Sequence, residues 1–120
     1  MIVEDEADIA RIIGLALRLI GHWDVVTCHR AADIDAAVAA KLPDLILLDR
    51  LLSGTDGIEV CKRLKASPST AAIPVIFLSA KCTDEDRAEG IAAGAAGYLS
   101  KPFDPMVLAD RVKSILAANA

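Results

Sequence analysis

Short apolar runs alternate along the chain with longer stretches in which apolar positions recur every three or four residues. The first pattern reads as strand and the second as amphipathic helix. Met1–Val3 predicts a short strand. Ala7–Ile20 predicts a helix, with Ile9, Ile12, Ile13, Ala16, Leu17 and Ile20 on one face and Gly21 as its C-terminal stop. Asp24–Thr27 predicts a second strand and Ala32–Ala40 a second helix. Leu45–Leu48 is a third strand, and Ile58–Ala66 a helix with Ile58, Cys61, Leu64 and Lys65 at helical spacing. Pro74–Leu78 is a fourth strand, Asp84–Ala93 a fourth helix and Tyr98–Leu99 a short fifth strand. Pro105 suits the first turn of a last helix running to Ala117.

Five β–α units in strict alternation predict an α/β fold, a doubly wound five-stranded parallel sheet with helices on both faces. The four-residue run Leu45–Leu48 suits a strand buried on both sides. In open sheets of this kind, ligands bind beyond the carboxyl ends of the strands. Glu4, Asp5 and Glu6 follow the first strand, Asp49 the third, Ser79 the fourth, and Ser100, Lys101 and Pro102 the fifth. Carboxylates, a hydroxyl and an ammonium therefore converge on one edge.

Taken singly, each of these residues has an ordinary reading. Asp5 suits a helix cap, Asp49 a turn, Ser79 a strand end, Lys101 the solvated surface and Tyr98 half-buried packing. Together they suit phosphoryl chemistry. Glu4, Asp5 and Asp49 at close range repel one another, and a hard divalent cation relieves that repulsion. Mg²⁺ suits an all-oxygen site with few protein ligands. An aspartate carboxylate is a nucleophile toward phosphorus, and the transfer depends mainly on positioning and charge neutralisation. Gly54 and Gly57 allow the loop after Asp49 to turn tightly beside the site.

At these residues the chain resembles the receiver domain of two-component response regulators. "VEDE" is similar to the family's acidic pair after the first strand. "LILLDRLLSGTDG" resembles its phosphoacceptor segment, D-x-x-L/M-P-G-x-D-G. "IPVIFLSA" is similar to its fourth strand, and "GYLSKPF" to its fifth strand with an aromatic and Lys-Pro. The resemblance covers essentially all 120 residues and implies the flavodoxin-like strand order 2-1-3-4-5. It implies Asp49 as phosphoacceptor, with Glu4, Asp5, Asp49 and the Leu51 backbone carbonyl around Mg²⁺. Lys101 then contacts the phosphoryl group, and Ser79 and Tyr98 form the switch pair. The implied phosphoryl donor is a histidine kinase or a phosphotransfer protein. The resemblance implies a phosphoacceptor that assists its own phosphorylation and dephosphorylation, rather than an enzyme acting on outside substrates.

The chain departs from the family pattern in places. Ser53 stands where the motif has proline, a change expected to loosen the turn without touching a reacting group. Only three residues precede Glu4, so a short central strand is expected. In the winged-helix transcription-factor branch, acids before the fifth-strand aromatic pair with an arginine of the last helix to build a dimer. Ala96 and Gly97 stand in those places here, opposite Arg111, which argues against a dimer of that kind.

Composition narrows the alternatives. At 120 residues with 54% apolar content, the chain is expected to be one receiver domain, residues 1–120, with a proper core. The net charge of −4 argues against direct nucleic-acid binding. No apolar stretch approaches a membrane span or a signal peptide, and Cys28, Cys61 and Cys82 lack metal-clip spacing. A cytoplasmic protein with reduced thiols is expected. A hydrolase using Asp49 would need a cap domain for which there is no room. A phosphorylation-independent binding module on the same fold would be marked by loss of an acid, the lysine or the hydroxyl, and all are present. The cognate kinase and the downstream effector are not written in these residues.

Overall fold

Each apolar run does form a strand, and the sheet is built from them in the expected order. The computed structural model describes residues 1–119. In chain order the elements are β1 (Ile2–Val3), α1 (Ala7–Leu19), β2 (Thr27–Cys28), α2 (Ile34–Ala40), β3 (Ile46–Leu48), β4 (Leu51–Leu52), β5 (Thr55–Asp56), α3 (Gly57–Ala66), β6 (Val75–Ser79), α4 (Asp84–Ala92), β7 (Gly97–Ser100) and α5 (Leu108–Ala118). A 3₁₀ turn, Ala31–Asp33, leads into α2. The main sheet is parallel with order β2-β1-β3-β6-β7. Setting the small β4–β5 ribbon aside, this is the order 2-1-3-4-5 of the flavodoxin-like receiver fold.

Alternation along the buried strands divides the core into two layers. Val3, Ile46, Leu48, Val75 and Phe77 face Ile34, Ile58, Cys61 and Leu64 of α2 and α3. Ile2, Leu47, Ile76, Leu78 and Leu99 face Ile13, Leu17, Leu108 and Val112 of α1 and α5. The continuous apolar run that marked β3 follows from both faces being covered. All three cysteines are free, Cys28 and Cys61 in the core and Cys82 half-buried.

Several expected details are corrected. β2 begins at Thr27 rather than Asp24, because its partner β1 offers only two residues, paired Ile2 with Thr27 and Val3 with Cys28. Ile12 does not join the buried face of α1; it is 42% exposed, and Ala10, Ile13, Gly14, Ala16 and Leu17 are buried. Gly21 does follow the helix, but the left-handed residue is His22, with φ 60°. Gly21 is needed for closeness instead, since a Cβ there would lie 2.7 Å from the Leu17 carbonyl oxygen. Pro105 sits in a turn ahead of α5, not in its first turn. Asp104 organises that turn, its side chain accepting from the Met106 N–H at 2.9 Å and its carbonyl from the Val107 N–H at 3.1 Å. The remaining boundaries move by one or two residues.

The β4–β5 ribbon has no signal in the apolar pattern, because each strand is two residues long. It pairs Leu51 with Asp56 and Leu52 with Thr55 around Ser53 and Gly54. Gly54 has φ 73°, the left-handed region that glycine adopts without steric cost.

Candidate functional site

Strands β1, β3 and β7, the last two separated by β6, end at one edge of the sheet and deliver their next residues to one place. The Asp49 N–H donates to the Val3 carbonyl at 3.0 Å, and the Glu4 N–H donates to the Cys28 carbonyl at 3.0 Å. Both carboxylates thus leave the sheet at a fixed register. Glu4 is 1% exposed and Asp49 5%. The Lys101 N–H donates to the Ser79 carbonyl at 2.9 Å, so β7 brings its ammonium to the same edge. Lys101 Nζ lies 2.7 Å from Glu4 Oε2 and 3.1 Å from Asp49 Oδ2. Glu4, Asp5 and Asp49 each bring a carboxylate oxygen within 4.8 Å of the others.

The electrostatics follow from this packing. Burial pushes the Glu4 carboxyl above its ordinary range; the Lys101 hydrogen bond opposes the shift and the Asp49 charge adds to it. Burial also disfavours the Lys101 ammonium, but its bonds to Glu4 and Asp49 outweigh that and hold its pKa above the usual lysine value. The Asp5 carboxyl is held below its ordinary range, chiefly by the Ser53 hydroxyl. Asp49 Oδ1 accepts the Leu51 N–H at 3.0 Å, which ties the start of the ribbon to the carboxylate. Gly57 closes the loop: its N–H donates to the Arg50 carbonyl at 2.8 Å, and a Cβ there would lie 2.5 Å from the Asp49 carbonyl oxygen.

The family model of the response regulator receiver domain matches residues 1–113. This chain belongs to that family. The receiver domain is 40% identical over 116 residues to the phosphate regulon transcriptional regulatory protein PhoB of Pseudomonas aeruginosa, covering 97% of this chain and 50% of that protein. It therefore spans about half the length of this curated relative. A crystal structure of a response regulator from Chloroflexus aurantiacus superposes with a TM-score of 0.87 at 37% identity, covering 97% of this chain and 94% of that one. The BeF3-activated N-terminal receiver domain of Klebsiella pneumoniae RstA gives 0.83 at 30% identity, covering 96% and 95%. Receiver domains are the phosphoacceptor signalling domains of two-component systems.

Ser79 and Tyr98 are joined in the receiver domain through a single residue. Ser79 is fully buried at the end of β6, and its Oγ accepts the Lys81 N–H at 3.1 Å. The Tyr98 hydroxyl donates to the Lys81 carbonyl. The Tyr98 ring lies inside, 5.4 Å from Phe77 between centroids, with the Arg87 guanidinium 5.7 Å from its own centroid. It fits there because α4 carries Gly90; a Cβ at that position would lie 2.7 Å from Tyr98 Cδ2.

One reading of a single residue is overturned. Asp5 does not cap α1, whose N-cap position is Glu6 with no side-chain bond. Its carboxylate points to the ribbon instead. Ser53 also turns toward Asp5: its N–H and hydroxyl both donate to Asp5 Oδ2, at 3.0 and 2.7 Å.

One residue escaped the sequence altogether. Arg50, next to Asp49, is only 2% exposed. Its guanidinium runs under α4, donating to the Asp86 carbonyl at 3.1 Å and pairing with Asp86 Oδ1 at 3.5 Å and Glu89 Oε2 at 2.7 Å. Asp86 also completes a capping box with Thr83 at the start of α4. The available signal was an arginine wedged between apolar residues in "LLDRLL", with an acid-rich helix start in "DEDRAE" to receive it.

Proposed function

We propose that this receiver domain is a phosphorylation-dependent signalling switch in which Asp49 accepts a phosphoryl group from the phosphohistidine of a histidine kinase or phosphotransfer protein. The observation that carries this reading is the buried Asp49 carboxylate flanked by two further acids and bridged to Glu4 by Lys101. A carboxylate oxygen of Asp49 attacks phosphorus and an O–P bond forms. The P–N bond of the donor breaks, and the imidazole leaves with the electron pair. Lys101 is placed to meet the negative charge gathered on the phosphoryl oxygens. The Leu51 N–H, donating to Oδ1, holds the orientation of the Asp49 carboxylate.

The donor set fits a hard divalent cation: three carboxylates converge within 4.8 Å, and no soft ligand accompanies them. Glu4, Asp5, Asp49 and the Leu51 carbonyl are the residues that would hold Mg²⁺. When bound, Mg²⁺ supplies charge neutralisation for the acid cluster and for the phosphoryl oxygens. Ser79 and Tyr98 form the proposed switch pair. A Ser79 Oγ that moves toward the phosphoryl group pulls on the bond it accepts from the Lys81 N–H, and Lys81 is also what the Tyr98 hydroxyl holds. The output is then a population shift between two packings of β6, α4 and β7.

Acetyl phosphate with Mg²⁺ tests the assignment. Intact-mass spectrometry should register about 80 Da, one phosphoryl group on a carboxylate. Asp49→Asn should take up none, and uptake equal to wild type would remove Asp49 from this role.

A further inference from the structure

Ser53 gives two hydrogens to one oxygen. Its backbone N–H and its hydroxyl converge on Asp5 Oδ2 at 3.0 and 2.7 Å. A carboxylate oxygen has about two good acceptor directions, so these donors saturate Oδ2 and leave Oδ1 free to ligate. Two bonds from a single residue also fix how the carboxylate is turned. Proline at this position, as in the family motif, has neither an N–H nor a hydroxyl and can donate nothing. Ser53 stands at the tip of the β4–β5 ribbon beside Gly54. The other end of that ribbon is held by Asp49 Oδ1 through the Leu51 N–H at 3.0 Å. The ribbon is thus pinned to Asp49 at its base and to Asp5 at its tip.

We propose that Ser53 is a positioning residue for the divalent cation: it fixes Asp5 and the ribbon that carries the Leu51 carbonyl in one frame before the ion arrives. This rests on the metal site proposed above. It reverses the expectation that losing the proline merely loosens the turn. Hydrogen-bonding partners orient a ligating carboxylate, and losing one typically costs ~10–100-fold in metal affinity. Ser53 is exposed, so solvent screening puts the expected effect at or below the lower end of that range.

The test is divalent-cation affinity of the whole chain, read by Mn²⁺ electron paramagnetic resonance and by the Mg²⁺-dependent rise in melting temperature. Ser53→Thr keeps both donors, Ser53→Ala keeps only the N–H, and Ser53→Pro keeps neither. Affinity should be near wild type for the first, about threefold weaker for the second and about tenfold weaker for the third. The metal-free melting temperature reports folding separately. A merely structural Ser53 would lower that temperature in the variants and leave all affinities equal, which overturns the inference. Tighter binding in Ser53→Ala or Ser53→Pro overturns it too, because the two donors would then be competing with the ion. A wild type that binds no divalent cation removes the metal site and this inference together. A wild type that binds, with variants that bind equally, removes this inference alone.

Discussion

Arg50 Nη2 lies 2.7 Å from Glu89 Oε2, a bond across 39 residues that ties the residue beside Asp49 to helix α4. The guanidinium is buried, whereas the Glu89 side chain is 48% exposed. Removing the cation leaves the buried Asp86 carboxylate with the Thr83 N–H, at 3.0 Å, and no nearer cation than the rim lysine Lys81, at 3.9 Å. Arg50→Ala should therefore cost about 3 kcal/mol in urea denaturation, as for a broken buried pair. Glu89→Gln should cost about 1 kcal/mol or less, because its partner keeps Asp86 and the amide still accepts a hydrogen bond. Equal losses from the two would mean that burial does not govern this network.

Lys101 offers a pH-dependent prediction. In the metal-free protein, Lys101→Met leaves Glu4 and Asp49 without the ammonium that bridges them. At neutral pH the loss should be about 2 kcal/mol, below that of a fully buried pair because Lys101 keeps some solvent contact. The folded Glu4 carboxyl titrates above its ordinary value, and losing Lys101 raises it further. A group raised in this way contributes stability at pH below its unfolded pKa and loses that contribution as pH rises through the folded one. The deficit of the variant should thus shrink as pH falls toward the ordinary carboxyl range, where Glu4 is protonated. Thermal melts of both proteins from pH 7 to pH 4 measure this; a deficit that widens toward acid contradicts it.

These two sites also mark how far the sequence could be read. The strand ends were legible because a buried parallel strand is apolar on both faces, so Asp49, Ser79 and the residues around them stood out against Leu45–Leu48 and Val75–Leu78. Glu4, Asp5, Asp49 and Lys101 could be placed together because topology alone sends them to one edge. Arg50 and Ser53 were hidden because what matters about them is a partner 36 to 48 residues away, which no local period reports. Ile12 was misassigned for a related reason. An apolar residue one step round from the buried stripe carries the same letter as its neighbour, and only the packed sheet decides which of the two is covered.

Gly90 should hold the Tyr98 ring in place by its lack of a side chain. Gly90→Ala sets a methyl 2.7 Å from Tyr98 Cδ2 and 3.2 Å from Phe77 Cδ2, so one ring must move. The cost of such overpacking is about 1–3 kcal/mol. Tyr98 is the only tyrosine, and its ring resonances report the displacement without assignment ambiguity. Unchanged Tyr98 resonances in Gly90→Ala would show that α4 itself gives way. In the wild type, addition of beryllofluoride with Mg²⁺ should shift the same resonances.

The α4–β7–α5 surface should not form the acid–arginine dimer of the winged-helix branch. Ala96 and Gly97 precede Tyr98, and Glu89, an acid of α4, is already paired with Arg50. Bidentate pairs lost on both sides of a symmetric contact count twice. Light scattering with beryllofluoride and Mg²⁺ should report a monomer mass. A dimer broken by Arg111→Ala would show that other acids have taken over the face.

The bond from Lys101 to Glu4 spans 97 residues, and the bond from Lys101 to Asp49 spans 52. During synthesis the two acids are therefore made long before the cation that bridges them. Until β7 has been translated and docked, the carboxylates lack the ammonium that draws them together, and the edge they share is incomplete. A nascent chain halted before residue 101 carries Glu4 and Asp49 but not the ammonium that bridges them. On the function proposed above, the order of translation withholds the phosphoacceptor setting of Asp49 until the fold is complete.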